Sequence, residues 1–338
     1  MTWQALFDEI KNGTLSGIYL FQGPEEFIKR SAIEKIRELL LPAGLEILNE
    51  TVLEGALAAD IIESAETLPV MCDRRLVLVK EWSMLTGAKT KDEAGEAEKF
   101  EKWLPGAPES CVIVFLLRGE ADKRKKVYKA LEKHAKIIDF AYLTDGEIAK
   151  WIASRLKPKK KVMKTDAVNA LIFLAGRDLT RLSGEVDKLA AFVGDKGEIM
   201  KEDVTAAVTP SAESNVFYMI DALVAGDAKR AYEILNAMLD AGEGPIGILA
   251  MITRQLRLMT HVKLLRDNGL PLAEIERRCA LQHFVAQRVY GQCAKLSAKK
   301  LEEGYRAGVE SDFEAKSGKI RDRAALDRMM FLLLSISQ

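Results

Sequence analysis

Short runs rich in β-branched and aromatic residues alternate with amphipathic stretches through the first 140 residues. The runs Ile18–Phe21, Glu46–Val52, Leu76–Val79, Val112–Leu117 and Ile137–Phe140 read as five strands, and Glu26–Leu41 and Lys123–His134 as helices between them. That alternation predicts a parallel sheet covered by helices on both faces. Residues 84–101 are polar and poor in β-branched side chains, which suggests a loop followed by a solvated helix. Past Phe140 no run has convincing strand character. Thr144 stands three residues ahead of Glu147, the spacing of a capping box. Apolar residues then recur at helical spacing, as in Phe217, Ile220, Leu223 and Val224, and again in Leu249, Ile252, Leu256 and Met259. The charged, proline-containing stretch Lys157–Lys161 and the turn chemistry of Thr209–Asn215 punctuate this helical part. The expected organisation is an α/β domain over 1–140, a small helical domain over 141–211 and an all-α domain over 212–338.

Composition narrows the function classes. The chain has 338 residues, enough for two or three cores, with 48% apolar and 30% charged residues. Fifty basic side chains balance fifty acidic ones, so any attraction to nucleic acid has to come from a local patch. Cys72, Cys111, Cys279 and Cys293 are scattered, without the spacing of a zinc site or a disulfide framework. Charges interrupt the apolar pattern of the first residues, and no run approaches the roughly 18 apolar residues of a membrane span. These features predict a soluble, cytoplasmic protein with no membrane partner.

The most informative local motif is a defective one. The run GIYLFQG leads into GPEEFIKRS and then a helix, the placement of a nucleotide phosphate loop. With Gly23 aligned to the first glycine of such a loop, Ile28 falls where the second belongs, Lys29 at the lysine and Arg30 at the magnesium-binding hydroxyl. A β-branched residue resists positive φ, arginine cannot ligate a cation, and Glu25 and Glu26 repel phosphate. Lys80 and Glu81 follow the third strand where an ATPase carries paired acidic residues. Two readings remain open from these residues: a plain strand-to-helix turn opened by Pro24, or a degenerate ATPase-like domain that binds no cofactor.

Several longer phrases bear on that choice: YLFQGPEEFIKRSAIEKI from Tyr19, AETLPVMCDRRLVLVK from Ala65, ADKRKKVYKALEKHAKIIDF from Ala121, AGRDLTRLSGEVDKLAAFVG from Ala175, the long run from Asn215 to Met259, and ESDFEAKSGKIRDRAALDRMM from Glu310. In order and spacing the chain resembles, over essentially its full length, the delta subunit family of bacterial DNA polymerase III clamp loaders. The resemblance implies an AAA+-like α/β domain with a lost nucleotide site, a helical lid, and a helical collar that joins the other loader subunits, of gamma/tau and delta-prime type. It implies a non-catalytic subunit of the replicative DNA polymerase holoenzyme that binds and opens the beta sliding clamp for loading onto primed DNA. In the family, the residues after a Leu-Pro step enter an apolar pocket of the clamp. Here that step is Leu68 and Pro69, followed by Val70 and Met71. On local pattern alone, Leu68, Val70 and Met71 could equally close a helix onto the core.

The remaining constellations are weaker. Arg118 and the basic run Lys123, Arg124, Lys125 and Lys126 read either as a solvated helix start or as a contact for DNA phosphates. The lysines of 157–164 read as a solvated connection, and Arg177 and Arg181 as structural. His134, His261 and His283 lack partners at a telling spacing. The competing functions are a phosphate-loop ATPase built on Gly23 and Lys29, and a DNA-binding protein built on the lysine clusters.

Overall fold

The computed structural model describes residues 2–87, 93–281 and 283–337, and the chain forms two compact units, Met1–Gly146 and Glu147–Gln338. In the first unit the elements run α1 (Trp3–Lys11), β1 (Ile18–Gln22), α2 (Glu26–Leu40), α3 (Glu46–Asn49), β2 (Glu50–Glu54), α4 (Ala58–Glu66), β3 (Arg75–Lys80), α5 (Glu93–Trp103), β4 (Cys111–Leu116), α6 (Lys126–His134) and β5 (Ala135–Asp139). The five strands form one sheet in the order β2-β3-β4-β1-β5, and every neighbouring pair is parallel. β1 is buried throughout and β3 and β4 up to their last residues, while the edge strands β2 and β5 are not, as expected when helices cover both faces of the centre. Ile18, Leu20, Val77, Val79, Ile113 and Phe115 pack with apolar residues of α4, α5 and α6. Strand alternation turns Tyr19, Phe21, Leu76 and Leu78 to the other face, where α1 packs on α2 and α2 on β3.

The strand order creates the site's location. From β1 the chain crosses to the far edge at β2, steps back through β3 and β4, then passes over β1 to reach β5. Such a reversal opens a crevice beyond the carboxyl ends of β1 and β4, where open α/β sheets hold ligands.

Three expectations need correction in this unit. The second strand does not begin at Glu46: residues 46–49 form the helical turn α3, and pairing with β3 starts at Glu50. The helix expected from Lys123 begins at Lys126, because Asp122 folds residues 122–125 into a turn: its main-chain carbonyl accepts from the Lys125 N–H and its carboxylate from the Arg124 N–H. The polar segment 84–101 is not simply solvated. Residues 88–92 lie outside the described residues, but α5 buries Ala97 and Phe100, and the Phe100 ring stands 4.8 Å from Trp82 and 5.8 Å from Phe115.

The second unit is helical: α7 (Asp145–Leu156, beginning just before the unit), α8 (Thr165–Ala175), α9 (Leu179–Phe192), α10 (Lys201–Ala207), α11 (Ala212–Val224), α12 (Ala228–Asp240), α13 (Pro245–Asp267), α14 (Leu272–Cys279), α15 (His283–Ala294), α16 (Ala298–Lys316) and α17 (Asp322–Ser337). Against expectation, a parallel pair of two-residue strands, β6 (Val162–Met163) and β7 (Glu198–Ile199), ties the α7–α8 connection to the α9–α10 connection. Residues 208–211 lead from α10 into α11. There Ser211 caps α11 and its N–H donates to Leu174 O at 2.7 Å, while the Ser214 hydroxyl donates to Phe173 O. α13 is the central helix, packed by α11, α14, α15, α16 and α17 around one apolar core. Among the described residues no helix is long and apolar enough to cross a membrane.

Candidate functional site

Two regions of the first unit bear on function: the crevice after β1, and the loop between α4 and β3. The crevice is a cleft of about 470 Å³ lined by Glu26, Lys29, Arg30, Ile33, Lys80, Glu81, Leu117 and Arg118, among others. Its lining is on balance basic, but the groups a phosphate loop would use are already engaged. Lys29 is 4% exposed, and its ammonium donates to Gly23 O at 2.8 Å, to Leu117 O at 2.5 Å and to the Glu26 carboxylate. The lysine therefore bridges the ends of β1 and β4 and closes the space it would leave open to a ligand.

The loop's N–H groups are similarly engaged. Gly23 N–H donates to Gly119 O at 2.9 Å, Glu25 N–H to Phe140 O at 2.8 Å and Phe27 N–H to its neighbour Glu25 Oε1 at 3.1 Å. A phosphate cradle needs such groups free and converging. Gly23 has φ of +104°, and a Cβ there would meet Phe140 O at 2.6 Å. The glycine thus serves the close approach of β1 and the chain after β5, which a phosphate-binding role is not needed to explain. Across the cleft, Lys80 pairs with Glu54 at 2.8 Å and holds that carboxyl below its usual range. Glu81 Oε1 accepts from the Arg118 N–H at 2.7 Å, so the acid after β3 is engaged by the backbone after β4.

The α4–β3 loop has the opposite character, because it presents apolar groups to solvent. Leu68 is 74% exposed, Val70 40% and Met71 83%, with Pro69 half-buried beside them. These side chains do not close α4 onto the core, so that alternative reading of the segment falls. The loop is nonetheless firmly framed. Fully buried Asn49 accepts from Val70 N–H at 2.7 Å and donates to Val70 O at 3.0 Å and Leu45 O at 3.1 Å. Arg75 donates to Thr67 O at 3.3 Å and Thr51 Oγ1 at 2.8 Å, and Arg74 donates to Leu15 O at 2.7 Å. Within this frame Met71 adopts φ of +57°, a left-handed conformation that costs a side-chain-bearing residue about 1 kcal/mol or more. Sequence reasoning found the tip but not Asn49, whose role is invisible without the fold: an Asn ahead of a strand carries no signal that its amide will reach a residue 21 positions later.

The basic groups are dispersed in what they do. Arg124 grips Asp122 through two side-chain bonds at 2.9 Å, which holds that carboxyl down to about 2. Lys123, Arg124 and Lys126 are exposed and Lys125 half-buried. In the second unit the lysines of 157–164 stay at the surface, where Lys159 pairs with Asp187, Lys164 with Glu198, and Lys161 donates to Gly194 O and Lys196 O. Arg181 donates to Thr209 O at 2.9 Å. His283 meets Glu276 at 2.6 Å with no nucleophile in the pair.

The fold and these regions can be set beside known proteins. Residues 19–141 match the family described as DNA polymerase III, delta subunit, and residues 213–333 match the DNA polymerase III delta subunit, C-terminal domain. The DNA polymerase III subunit delta of Bacillus subtilis is 28% identical over 333 residues, covering 97% of this chain and 96% of that protein. The Escherichia coli subunit delta is 24% identical over 155 residues, 45% of each chain. The solved Bacillus subtilis DNA clamp loader delta protein superposes with a TM-score of 0.64 at 27% identity, over 98% of this chain and 99% of that one. The parallel sheet with its engaged phosphate-type loop, the helical second unit and both matched segments agree: the chain belongs to the family of DNA polymerase III delta subunits, accessory subunits of the clamp loader.

Proposed function

We propose that this subunit grips the beta sliding clamp through the α4–β3 loop and opens it for loading onto primed DNA, without itself binding or hydrolysing ATP. The observation that carries the reading is the exposed, rigidly framed tip of Leu68, Pro69, Val70 and Met71 on an otherwise ordinary α/β unit. Burying Val70 and Met71 in an apolar pocket contributes on the order of 3–6 kcal/mol, and methionine adapts to an irregular pocket. That is the scale of an interface anchor. Opening a ring needs no bond chemistry: a binder that prefers the sprung form shifts the population by its differential affinity.

The engagement of Lys29 and of the N–H groups of Gly23, Glu25 and Phe27 supports the non-hydrolytic half of the reading. ATP then acts through partner subunits of gamma/tau and delta-prime type, with which this chain assembles in the cytoplasm. In this reading residues 1–140 are the clamp-binding domain, 141–211 a lid and 212–338 the collar that joins the partners. Exposed Lys123 and Arg124, with Lys125, face DNA phosphates once the complex has formed.

The test is binding of the purified chain to its cognate clamp, wild type against Val70→Ala/Met71→Ala, with and without ATP. The expected result is tight binding that ignores ATP and weakens about 10-fold or more in the variant, about 1.4 kcal/mol. A wild-type chain that leaves the clamp unbound, or binds it only with ATP, overturns the proposal.

A further inference from the structure

Nine large apolar residues are exposed among the described residues of the first unit, and they are not evenly spread. Five of them, Ile47, Leu48, Leu68, Val70 and Met71, lie on just two short segments, α3 and the α4–β3 loop. Ile47 is 94% exposed and Leu48 53%, on a helix of four residues that offers them no partner face. The two segments are far apart in sequence and joined in space by one side chain. Asn49, the last residue of α3, bonds both the N–H and the carbonyl of Val70, in the manner of an added strand, while its remaining N–H returns to Leu45 O at the start of the same turn. Residues next to Asn49 are therefore carried beside Val70 at a fixed spacing.

We infer that Ile47 and Leu48 extend the clamp-binding tip into a two-segment apolar surface, and that the sliding clamp covers both segments together. The inference rests on the clamp-binding reading of Val70 and Met71 and goes beyond it in adding α3. Three features support a single occupant. The apolar groups are continuous with the proposed tip through Asn49. The junction is firmly bonded, since Asn49 is fully buried and all three of its side-chain bonds go to the backbone of Leu45 and Val70. Finally, the early start of a helical turn at Glu46, where strand pairing was expected, is what turns Ile47 and Leu48 outward instead of into the sheet. A rigid surface of two segments also has a mechanical use: two separated contacts resist rotation of the bound clamp, whereas a single tip acts as a pivot.

The experiment compares clamp affinity of the full chain carrying Ile47→Ser/Leu48→Ser with wild type and with Val70→Ala/Met71→Ala. Thermal melting serves as the folding control; if the double variant melts early, Ile47→Ser alone takes its place, because that side chain is almost wholly in solvent. The expected result is a loss of about 10-fold in affinity at unchanged melting temperature. Affinity within about twofold of wild type, while the Val70/Met71 variant has lost its own, overturns the extended surface and leaves the clamp-binding reading intact. A wild-type chain that does not bind the clamp overturns that reading, and the extension with it.

Discussion

Lys29 decides what the loop after β1 can hold. In a working phosphate loop the lysine reaches outward to a ligand, whereas here its ammonium is buried against Gly23 O, Leu117 O and Glu26. Restoring the sequence motif alone therefore does not restore the site. The variant Ile28→Gly/Arg30→Thr recreates the glycine and hydroxyl spacing, yet the Gly23, Glu25 and Phe27 N–H groups keep their acceptors. Equilibrium titration with magnesium and labelled ATP is expected to give no saturable binding up to millimolar nucleotide, an affinity weaker than about 4 kcal/mol; micromolar binding would show that the loop reopens and that the engaged groups are no barrier. At this scale the sequence was half legible. It exposed the wrong residues at the second-glycine and hydroxyl positions, because motif chemistry is local. It did not disclose that the lysine, correct in type, is turned into a structural bridge, since its two carbonyl partners lie 6 and 88 positions away. Asn49 was illegible for the same reason.

Single elements show where periodicity carries the argument and where it fails. Strands β1, β3 and β4 are continuous apolar runs, and their expected limits fall within a residue of the observed ones. The start of β2 was misread because α3 obeys a side chain, Asn49, and not a pattern. β6 and β7 escaped notice because two residues are too few to alternate. In the helical unit the pattern located helices but not how closely they pack. α13 and α16 approach at Gly308, where an added Cβ would lie 2.5 Å from Thr253 Oγ1 and 3.1 Å from its Cγ2. Rotating Thr253 does not clear the space, because its methyl would replace its hydroxyl, and the hydroxyl is bonded to Leu249 O at 2.8 Å. Gly308→Ala gains up to about 1 kcal/mol of helix propensity and incurs about 1–3 kcal/mol of overpacking. A net loss of about 1 kcal/mol is expected in chemical denaturation. In a Thr253→Ala background the two closest contacts are gone and only the Cβ of residue 253, at 3.2 Å, still crowds the added methyl, so the same substitution is expected to cost clearly less; an equal loss in both backgrounds would place the strain elsewhere.

Across the whole molecule, the two compact units each carry an apolar core of their own, and each core holds one deeply buried thiol. Cys111 lies in β4 among the residues that α4, α5 and α6 cover, and Cys293 lies in α15 against α13, where its thiol donates to Met259 O. Burial pushes both thiols up to about 12. Only the thiolate is nucleophilic, so near pH 8 both are doubly protected, by charge state and by access. Cys72 and Cys279, half-buried, are the ones expected to alkylate in the folded protein. Cores that fail separately let one unit stay folded when the other is lost. Pulsed alkylation across a urea series, read peptide by peptide by mass spectrometry, separates the two reporters. Cys111 and Cys293 are expected to become reactive at different urea midpoints, each tracking the unfolding of its own core. Coincident midpoints would instead mean that the cores unfold as one cooperative body, and that strain applied at the α4–β3 loop is borne by the whole chain.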